Sequence, residues 1–334
     1  MNFKGRRVGV CITVILISIS LMGCMNEADY ESYMTAVEKT DGIQKGVSEV
    51  NVKVESTVNL DLMNQLTPEE KKTFEQLENV AADFIRRYDN TKKQSMVDLF
   101  IMYNQLGTDI KLYQPSDSEL YMKLPFLEGV FDMKDTMSYE QNDASRITNF
   151  TQEVASDWKA MLNVENIFVG EKTIIENEDG EVKSTKFTVK PTTAQLDAFM
   201  RNLRTAIIEN KDDILVYLQE MQIVESDDEL LDPEAFVRLV NELFDAITIT
   251  RYEETAYVDL DGYIIDEKVI IELRYESSEA VNFIFNTQSI VIHHKNWDIE
   301  KDQQFDFEFL EQLERLEMDE NTFMNTENDW SVKP

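Results

Sequence analysis

The spacing of the hydrophobic residues along this chain changes several times. Tyr30, Met34 and Val37 are spaced as on one face of a short amphipathic helix, and Gly42 and Gly46 end that helix. From position 50 the apolar residues fall at every second position, with polar residues between them. This alternation predicts a long strand with one buried face, whose apolar positions are Val50, Val52, Val54, Val58, Leu60 and Leu62.

A helix is predicted next, because Thr67 is placed to cap it, Pro68 suits its first position and Glu70 completes a capping box. Its apolar stripe advances in steps of three and four residues and comprises Phe74, Leu77, Ala81, Phe84, Ile85 and Tyr88. Between Met96 and Leu124 the alternation of a strand returns. The turn-prone residues 114–118 predict a hairpin there.

A third helical stripe contains Ile147, Phe150, Val154, Trp158, Met161 and Leu162. Two strands, Ile167–Ile175 and Val182–Val189, are then predicted to pair as a hairpin across Asp179-Gly180. The block 192–245 differs, because its apolar residues form three successive helical stripes. Asp232 and Pro233 begin the last of them as cap and first helical residue.

The chain from 247 to 309 again has mostly the pattern of strands, with turns predicted at Asp261-Gly262 and Ser277-Ser278. Twice in this stretch the apolar residues shift between odd and even positions, which we call a parity slip. One slip separates Ile247 and Ile249 from Ala256, Val258 and Leu260, and the other separates Phe283 and Phe285 from Ile290 and Ile292. Parity slips predict bulges, and bulges bend a sheet.

The first 23 residues have the anatomy of a signal peptide. Lys4, Arg6 and Arg7 form a basic flank before an apolar run from Val8 to Met22. That run is shorter than the roughly 20 residues that a spanning helix needs. The ending Leu21-Met22-Gly23-Cys24 resembles a bacterial lipobox, in which the cysteine receives diacylglycerol, becomes the new N-terminus and is acylated. The resemblance implies an extracytoplasmic lipoprotein on the outer face of the cell membrane.

The predicted organisation therefore has four parts. Residues 1–23 are the cleaved signal peptide, and 24–45 contain the lipidated Cys24, a tether and the first helix. Residues 46–310 form a single α+β domain with the helical block at about 192–245. Residues 311–334 are an acidic tail, and an amphipathic stub from Leu310 to Leu316 spans the boundary between the domain and the tail.

Charge and cysteine content narrow the chemistry. The net charge is −33, and removal of the three positive charges in residues 1–23 takes it to −36. A chain of this charge is repelled by nucleic acid and by anionic head groups. Cys11 lies in the cleaved segment, so a lipidated Cys24 leaves no free thiol for a disulfide, a metal site or a nucleophile.

The order of these elements resembles the lipoprotein-carrier fold. The resemblance rests on the lipidated cysteine, the short helix ending in Ala36-Val37-Glu38-Lys39-Thr40, the long first strand, the inserted helices and the closing strands around Tyr257–Ile264. The group includes LolA-like carriers and the LppX- and LprG-like lipoproteins of Gram-positive bacteria. It implies a long, curved antiparallel sheet, an unclosed barrel, wrapped over amphipathic helices with apolar space between them. It implies no catalytic residue.

Motifs for chemistry are few. His293 and His294 are adjacent on a strand, so their side chains point to opposite faces and do not chelate one ion together. Asp259-Leu260-Asp261-Gly262 lacks the further ligands of an EF-hand, and a hairpin is favoured over calcium. The sequence has no nucleophile elbow, phosphate-binding glycine loop or zinc-protease motif. We expect neither an enzyme, nor a metal site, nor a cofactor beyond the lipid on Cys24.

The remaining functional prediction concerns bulky apolar side chains of the helices. They either fill the core or line a groove for a lipid or another amphiphile, and the candidate ligand-binding residues are Phe74, Phe84, Trp158, Met161, Phe199 and Met200. The alternative function is a module with a filled core that binds a cell-envelope protein or the cell wall through its acidic surface.

Overall fold

The computed structural model describes residues 27–68, 71, 78–103, 106–133, 150–220, 232–276, 285–307, 310 and 315–316. These residues form one sheet of twelve strands together with helices. Neighbouring strands are antiparallel, except that the last strand, of two residues, lies parallel to its neighbour. The two edges of the sheet do not pair with each other. The predicted α+β class with a long, unclosed antiparallel sheet is confirmed.

The sheet consists of two meanders. The first contains β1 (Lys45–Val58), β2 (Asn79–Asp89), β3 (Gln94–Tyr103), β4 (Leu106–Ser116), β5 (Glu119–Lys123) and β6 (Val130–Asp132). The second contains β7 (Ile167–Asn177), β8 (Gly180–Val189), β9 (Ile247–Asp259), β10 (Ile264–Tyr275) and β11 (Phe285–Trp297). β1 pairs with β11 and so joins the meanders, while β12 (Arg315–Leu316) pairs with β6. The hairpins predicted at 114–118 and at Asp179-Gly180 are confirmed.

The helices are α1 (Glu27–Asp41), the short α2 (Leu60–Met63), α3 (150–161), α4 (Thr193–Glu209), α5 (Lys211–Glu220) and α6 (Pro233–Ala246). The three helices predicted in the block 192–245 are confirmed. Thr192 caps α4 in a reciprocal capping box with Gln195, and the Asp232 side chain accepts hydrogen bonds from two backbone N–H groups at the start of α6. α1 packs mainly on β7 and β10, and α4 and α6 pack on β9.

The helix predicted to run as far as Tyr88 is wrong from Asn79 onward. Residues Asn79–Asp89 form β2, hydrogen-bonded to β1 on one side and to β3 on the other. Val80, Ala82 and Phe84 share one parity, and Asp83 and Arg87 fall on the other, so this stretch also satisfies a period of two. The ladders on both sides decide in favour of the strand. The Lys71 N–H donates to the Thr67 carbonyl at 3.0 Å, whereas Phe74 lies outside the described residues.

Four shorter predictions also need correction. β1 ends at Val58, because the Asn59 side chain caps α2 by accepting from two backbone N–H groups. Leu260, predicted to face the core, is 80% exposed in the turn between β9 and β10. The strand pattern predicted as far as 309 ends at Trp297, where the chain turns through positive φ at Asp298. Residues 315–316, predicted as part of an amphipathic stub, are a strand.

Both predicted bulges are present. The register between β9 and β10 shifts so that Thr250 is the extra residue, and the register between β1 and β11 shifts at Asn286. The turn at Asp261-Gly262 is also confirmed, with Gly262 at φ 87°. The turn predicted at Ser277-Ser278 and the tail 317–334 lie outside the described residues.

The core is concentrated at the two ends of the sheet. At the β7–β10 end, residues of α1 and the sheet enclose a buried cluster that contains Tyr33, Leu162, Phe187 and Ala256. At the β4–β6 end, a second cluster surrounds Val130. Among the described helices, none is both long and apolar enough to cross a bilayer.

Candidate functional site

The central strands present an apolar inner face that is only half-buried. Because neighbouring strands are in register, inward residues form rows across the sheet. The first row is Val54, Ile290, Ile271 and Tyr252, the second is Val52, Ile292, Val269 and Glu254, and the third is Val50, His294, Glu267 and Ala256. The aliphatic members of the three rows remain partly accessible in the described chain, except Ala256, which is fully buried. A half-exposed aliphatic surface of this extent is uncommon on a sheet that faces its own helices.

One end of this face forms a pocket of about 240 Å³ under α1 and α3. Helical residues supply one wall and β9, β10 and β11 supply the other. The lining residues are Tyr33, Met34, Val37, Thr40, Asp41, Trp158, Lys159, Leu162, Tyr252, Glu254, Ile264, Glu267, Val269 and His294. The pocket therefore combines aliphatic, aromatic and ionisable groups.

Glu254 lies at the inner wall of the pocket and is only 3% exposed. The Tyr252 hydroxyl donates a hydrogen bond to its Oε2 at 2.8 Å, and the Tyr33 hydroxyl of α1 donates to its Oε1. Burial, followed by the negative charge of Glu267, raises the pKa of Glu254 from 4.5 to about 7. Burial and the neighbouring Glu254 also raise the pKa of both tyrosines. The buried carboxyl group therefore holds a proton more tightly than an ordinary glutamate.

A polar chain continues from Glu254 across the sheet. The negative charge of Glu267 contributes to the raised pKa of Glu254, and the Oε2 atom of Glu267 lies 3.7 Å from Nδ1 of His294. The Nε2 atom of His294 lies 2.8 Å from Oγ of Ser48 on β1. The polar end of the pocket therefore extends from Glu254 through Glu267 and His294 to Ser48.

An aromatic cluster lies beside Glu254. The Trp158 ring contacts Tyr252 at a centroid distance of 4.6 Å and Phe199 in an edge-to-face arrangement at 5.1 Å. Met161, one turn further along α3, packs against the buried cluster at this end of the sheet.

At the rim of the pocket, ion pairs and hydrogen bonds fix the position of α1. The Lys159 ammonium pairs with Asp41 at 2.7 Å and so links α3 to the end of α1. The Thr40 hydroxyl accepts a hydrogen bond from the Ile264 N–H at 2.8 Å, and Lys39 donates to the carbonyl of Asp261. The helix that follows the predicted lipidation site is therefore attached to the turn between β9 and β10.

The sequence-predicted ligand residues fall in different places. Trp158 lines the pocket. Phe199 contacts the Trp158 ring, and Met161 packs against the buried cluster at this end of the sheet. Phe84 lies on β2 opposite Val50 and extends the half-buried face away from the pocket. Met200 is half-buried on α4. Phe74 and Cys24 lie outside the described residues.

Sequence reasoning missed the polar part of the pocket. Glu254 has the same parity as Ala256 and Val258, and Glu267 has the same parity as Val269 and Ile271. A glutamate at an inward position of a strand is the pattern that identifies such a group. The prediction that the two histidines face opposite sides is confirmed, because His294 points inward while His293 pairs with Asp266 at 3.0 Å on the outer face. Within the described residues, no group of three or more His, Cys, Asp or Glu is placed to hold a metal ion.

No family model matches the sequence, and a search of curated proteins found no match. Three solved structures show distant similarity, each with a TM-score of 0.20. A DUF1329 family protein from Desulfovibrio piger is 9% identical over 86% of this chain and 98% of its own. A beta-barrel-like DUF1849 protein from Brucella abortus is 9% identical over 77% and 100%. A LolA superfamily protein from Nitrosomonas europaea is 7% identical over 81% and 94%. At this level the similarities do not bear on function.

Proposed function

We propose that this chain is a non-enzymatic, extracytoplasmic lipoprotein whose domain binds a lipid or another amphiphile between the sheet and helices α1 and α3. The observation that carries the proposal is the continuity of two surfaces. The half-buried aliphatic rows of β1, β10 and β11 run directly into a pocket whose inner wall carries Glu254, Glu267 and His294. An amphiphile has the same division into an apolar chain and a polar end.

The energetics favour an acyl or alkyl chain on the aliphatic rows. Burial of each methylene is worth about 0.8 kcal/mol, so a chain of modest length that covers Val52, Ile292 and Val269 gains several kcal/mol. The pocket of about 240 Å³ is smaller than a typical drug-sized site. It therefore suits a head group or the end of a chain, with the remainder of the ligand lying along the sheet.

We further propose that the protein is anchored to the membrane through Cys24. The mature surface is strongly acidic and has no attraction for an anionic bilayer, so the acyl chains supply the attachment. The first helix begins at Glu27, three positions after this cysteine. The anchor would therefore hold α1, which forms one wall of the pocket, close to the membrane surface.

Ligand uptake tests the binding proposal. The released Cys24→Ala protein is titrated with a fluorescent fatty alcohol, and saturable binding near one molecule per chain is expected. Ile292→Asn places a polar group in the middle of the inner face and should weaken binding at least about tenfold, since it disrupts the aliphatic contact.

Val291→Asn is the matched control, because Val291 is the adjacent residue on the outer face and pairs with Lys53. It should leave the affinity unchanged. Absence of uptake by the unsubstituted domain, or equal loss in both variants, would contradict a ligand site on the inner face and would favour a module with a filled core.

A further inference from the structure

The polar end of the pocket has a charge distribution that discriminates among head groups. The ionisable groups that face it come from every surrounding element: Tyr33 and Asp41 of α1, Lys159 of α3, Tyr252 and Glu254 of β9, Glu267 of β10 and His294 of β11. Lys159 is paired with Asp41 at 2.7 Å. The acceptors left at the inner wall are therefore the carboxyl groups of Glu254 and Glu267.

These two carboxyl groups lie beside aromatic rings. The Trp158 and Tyr252 rings are 4.6 Å apart at the same pocket, and the Tyr252 hydroxyl donates to Glu254. Aromatic faces attract a cation electrostatically, and ionised carboxyl groups accept hydrogen bonds from N–H donors.

From this geometry we propose that the polar end of the pocket receives a primary ammonium group, held by the carboxyl groups of Glu254 and Glu267. The inference rests on the proposed function, because it identifies the head group of the amphiphile. The three N–H donors of a primary ammonium match two carboxylates, and the aromatic cluster stabilises its charge. A sulfate, phosphate or carboxylate head group would face two acidic side chains and is disfavoured.

Ammonium binding at this site has a pH signature. Burial raises the pKa of Glu254 to about 7, so binding of a cation displaces the proton of Glu254. The affinity for an ammonium compound therefore rises with pH until that proton is already lost, by up to about tenfold per pH unit. A neutral compound of the same chain length, which leaves the proton in place, shows no such rise.

Calorimetric titration of the released Cys24→Ala protein with octylammonium, octanol and octyl sulfate tests the proposal. We expect octylammonium to bind about tenfold or more tightly than octanol, and octyl sulfate more weakly than either. Octylammonium binding should also release protons, measured as a dependence of the heat on the buffer. Equal affinity for the three compounds, or the tightest binding by octyl sulfate, would overturn the ammonium site.

Three variants and one further ligand separate the possible outcomes. Glu254→Gln and Glu267→Gln should each remove the preference for octylammonium while octanol still binds, which also shows that the fold is intact. Glu253→Gln, adjacent but on the outer face, should keep the preference. If no octyl compound binds, the proposed function fails. If ethanolamine binds as tightly as octylammonium, the site takes free amines, and the amphiphile proposal fails while the ammonium site stands.

Discussion

Replacement of Glu254 by glutamine should change how the stability of the protein depends on pH. Glutamine has nearly the same shape as a protonated glutamate. Its amide oxygen accepts a hydrogen bond from one of the two tyrosine hydroxyls, and its N–H₂ group takes the place of the other carboxyl oxygen and donates. In the folded protein the pKa of Glu254 is raised from 4.5 to about 7, chiefly by burial. The folded state thus binds this proton more tightly than the unfolded state. Its contribution to the unfolding free energy is complete at pH values below the pKa of the unfolded state.

As the pH rises through about 7, that contribution is lost, because the folded protein must then hold a buried charge. A shift from 4.5 to about 7 corresponds to about 3 kcal/mol, at about 1.4 kcal/mol per pKa unit. Glu254→Gln removes this dependence. Relative to the unsubstituted protein, the variant should therefore gain about 3 kcal/mol of unfolding free energy between about pH 5 and about pH 8.

Urea unfolding followed by circular dichroism measures this difference at each pH. Glu253→Gln is the control, because Glu253 lies on the outer face beside Lys190 and Arg251, which lower its pKa. Its effect should be constant over the same pH range. A stability difference between Glu254→Gln and the unsubstituted protein that does not change with pH would refute a raised pKa for Glu254.

Three further predictions concern packing, capping and anchoring. Trp158→Ala should lower the unfolding free energy by about 2 kcal/mol, since the half-buried indole loses its contacts with Phe199 and Tyr252. Asp232→Ala should lower it by about 1 kcal/mol through loss of the N-cap of α6, and both effects are measurable by urea unfolding. Cys24→Ala should release a folded domain from membranes, as measured by sedimentation and circular dichroism.

Each of these three predictions has a result that would contradict it. An unchanged midpoint for Trp158→Ala would show that the indole contributes no packing energy at the pocket. For Asp232→Ala, Asp232→Asn is the matched control, because asparagine also caps helices, and equal loss in both variants would argue against capping. A Cys24→Ala protein that still sediments with membranes would show that something other than the lipid holds it there.

Local patterns predicted most of the elements because local chemistry decides them. The Asp232-Pro233 start of α6 and the Asp179-Gly180 turn depend on a few adjacent residues. The bulges at Thr250 and Asn286 were visible as parity slips, since a strand has a strict period of two.

The predictions failed where residues distant in sequence determine the structure. Residues Asn79–Asp89 satisfy both a helical and a strand period, and only the ladders to β1 and β3 select the strand. The carboxyl group of Glu254 acquires its role from Tyr33, which lies 221 positions earlier in the chain. No local pattern contains that contact, although the inward parity of Glu254 shows that its carboxyl group is buried and therefore needs a partner.

The most direct test of the binding site is native mass spectrometry of the protein released from its own membranes. The account predicts a mass increase equal to one amphiphile per chain, which is lost in Ile292→Asn and retained in Val291→Asn. Protein observed only at its bare mass, both as isolated and after incubation with membrane lipid extract, would contradict the central claim that the inner face of the sheet and its pocket bind an amphiphile.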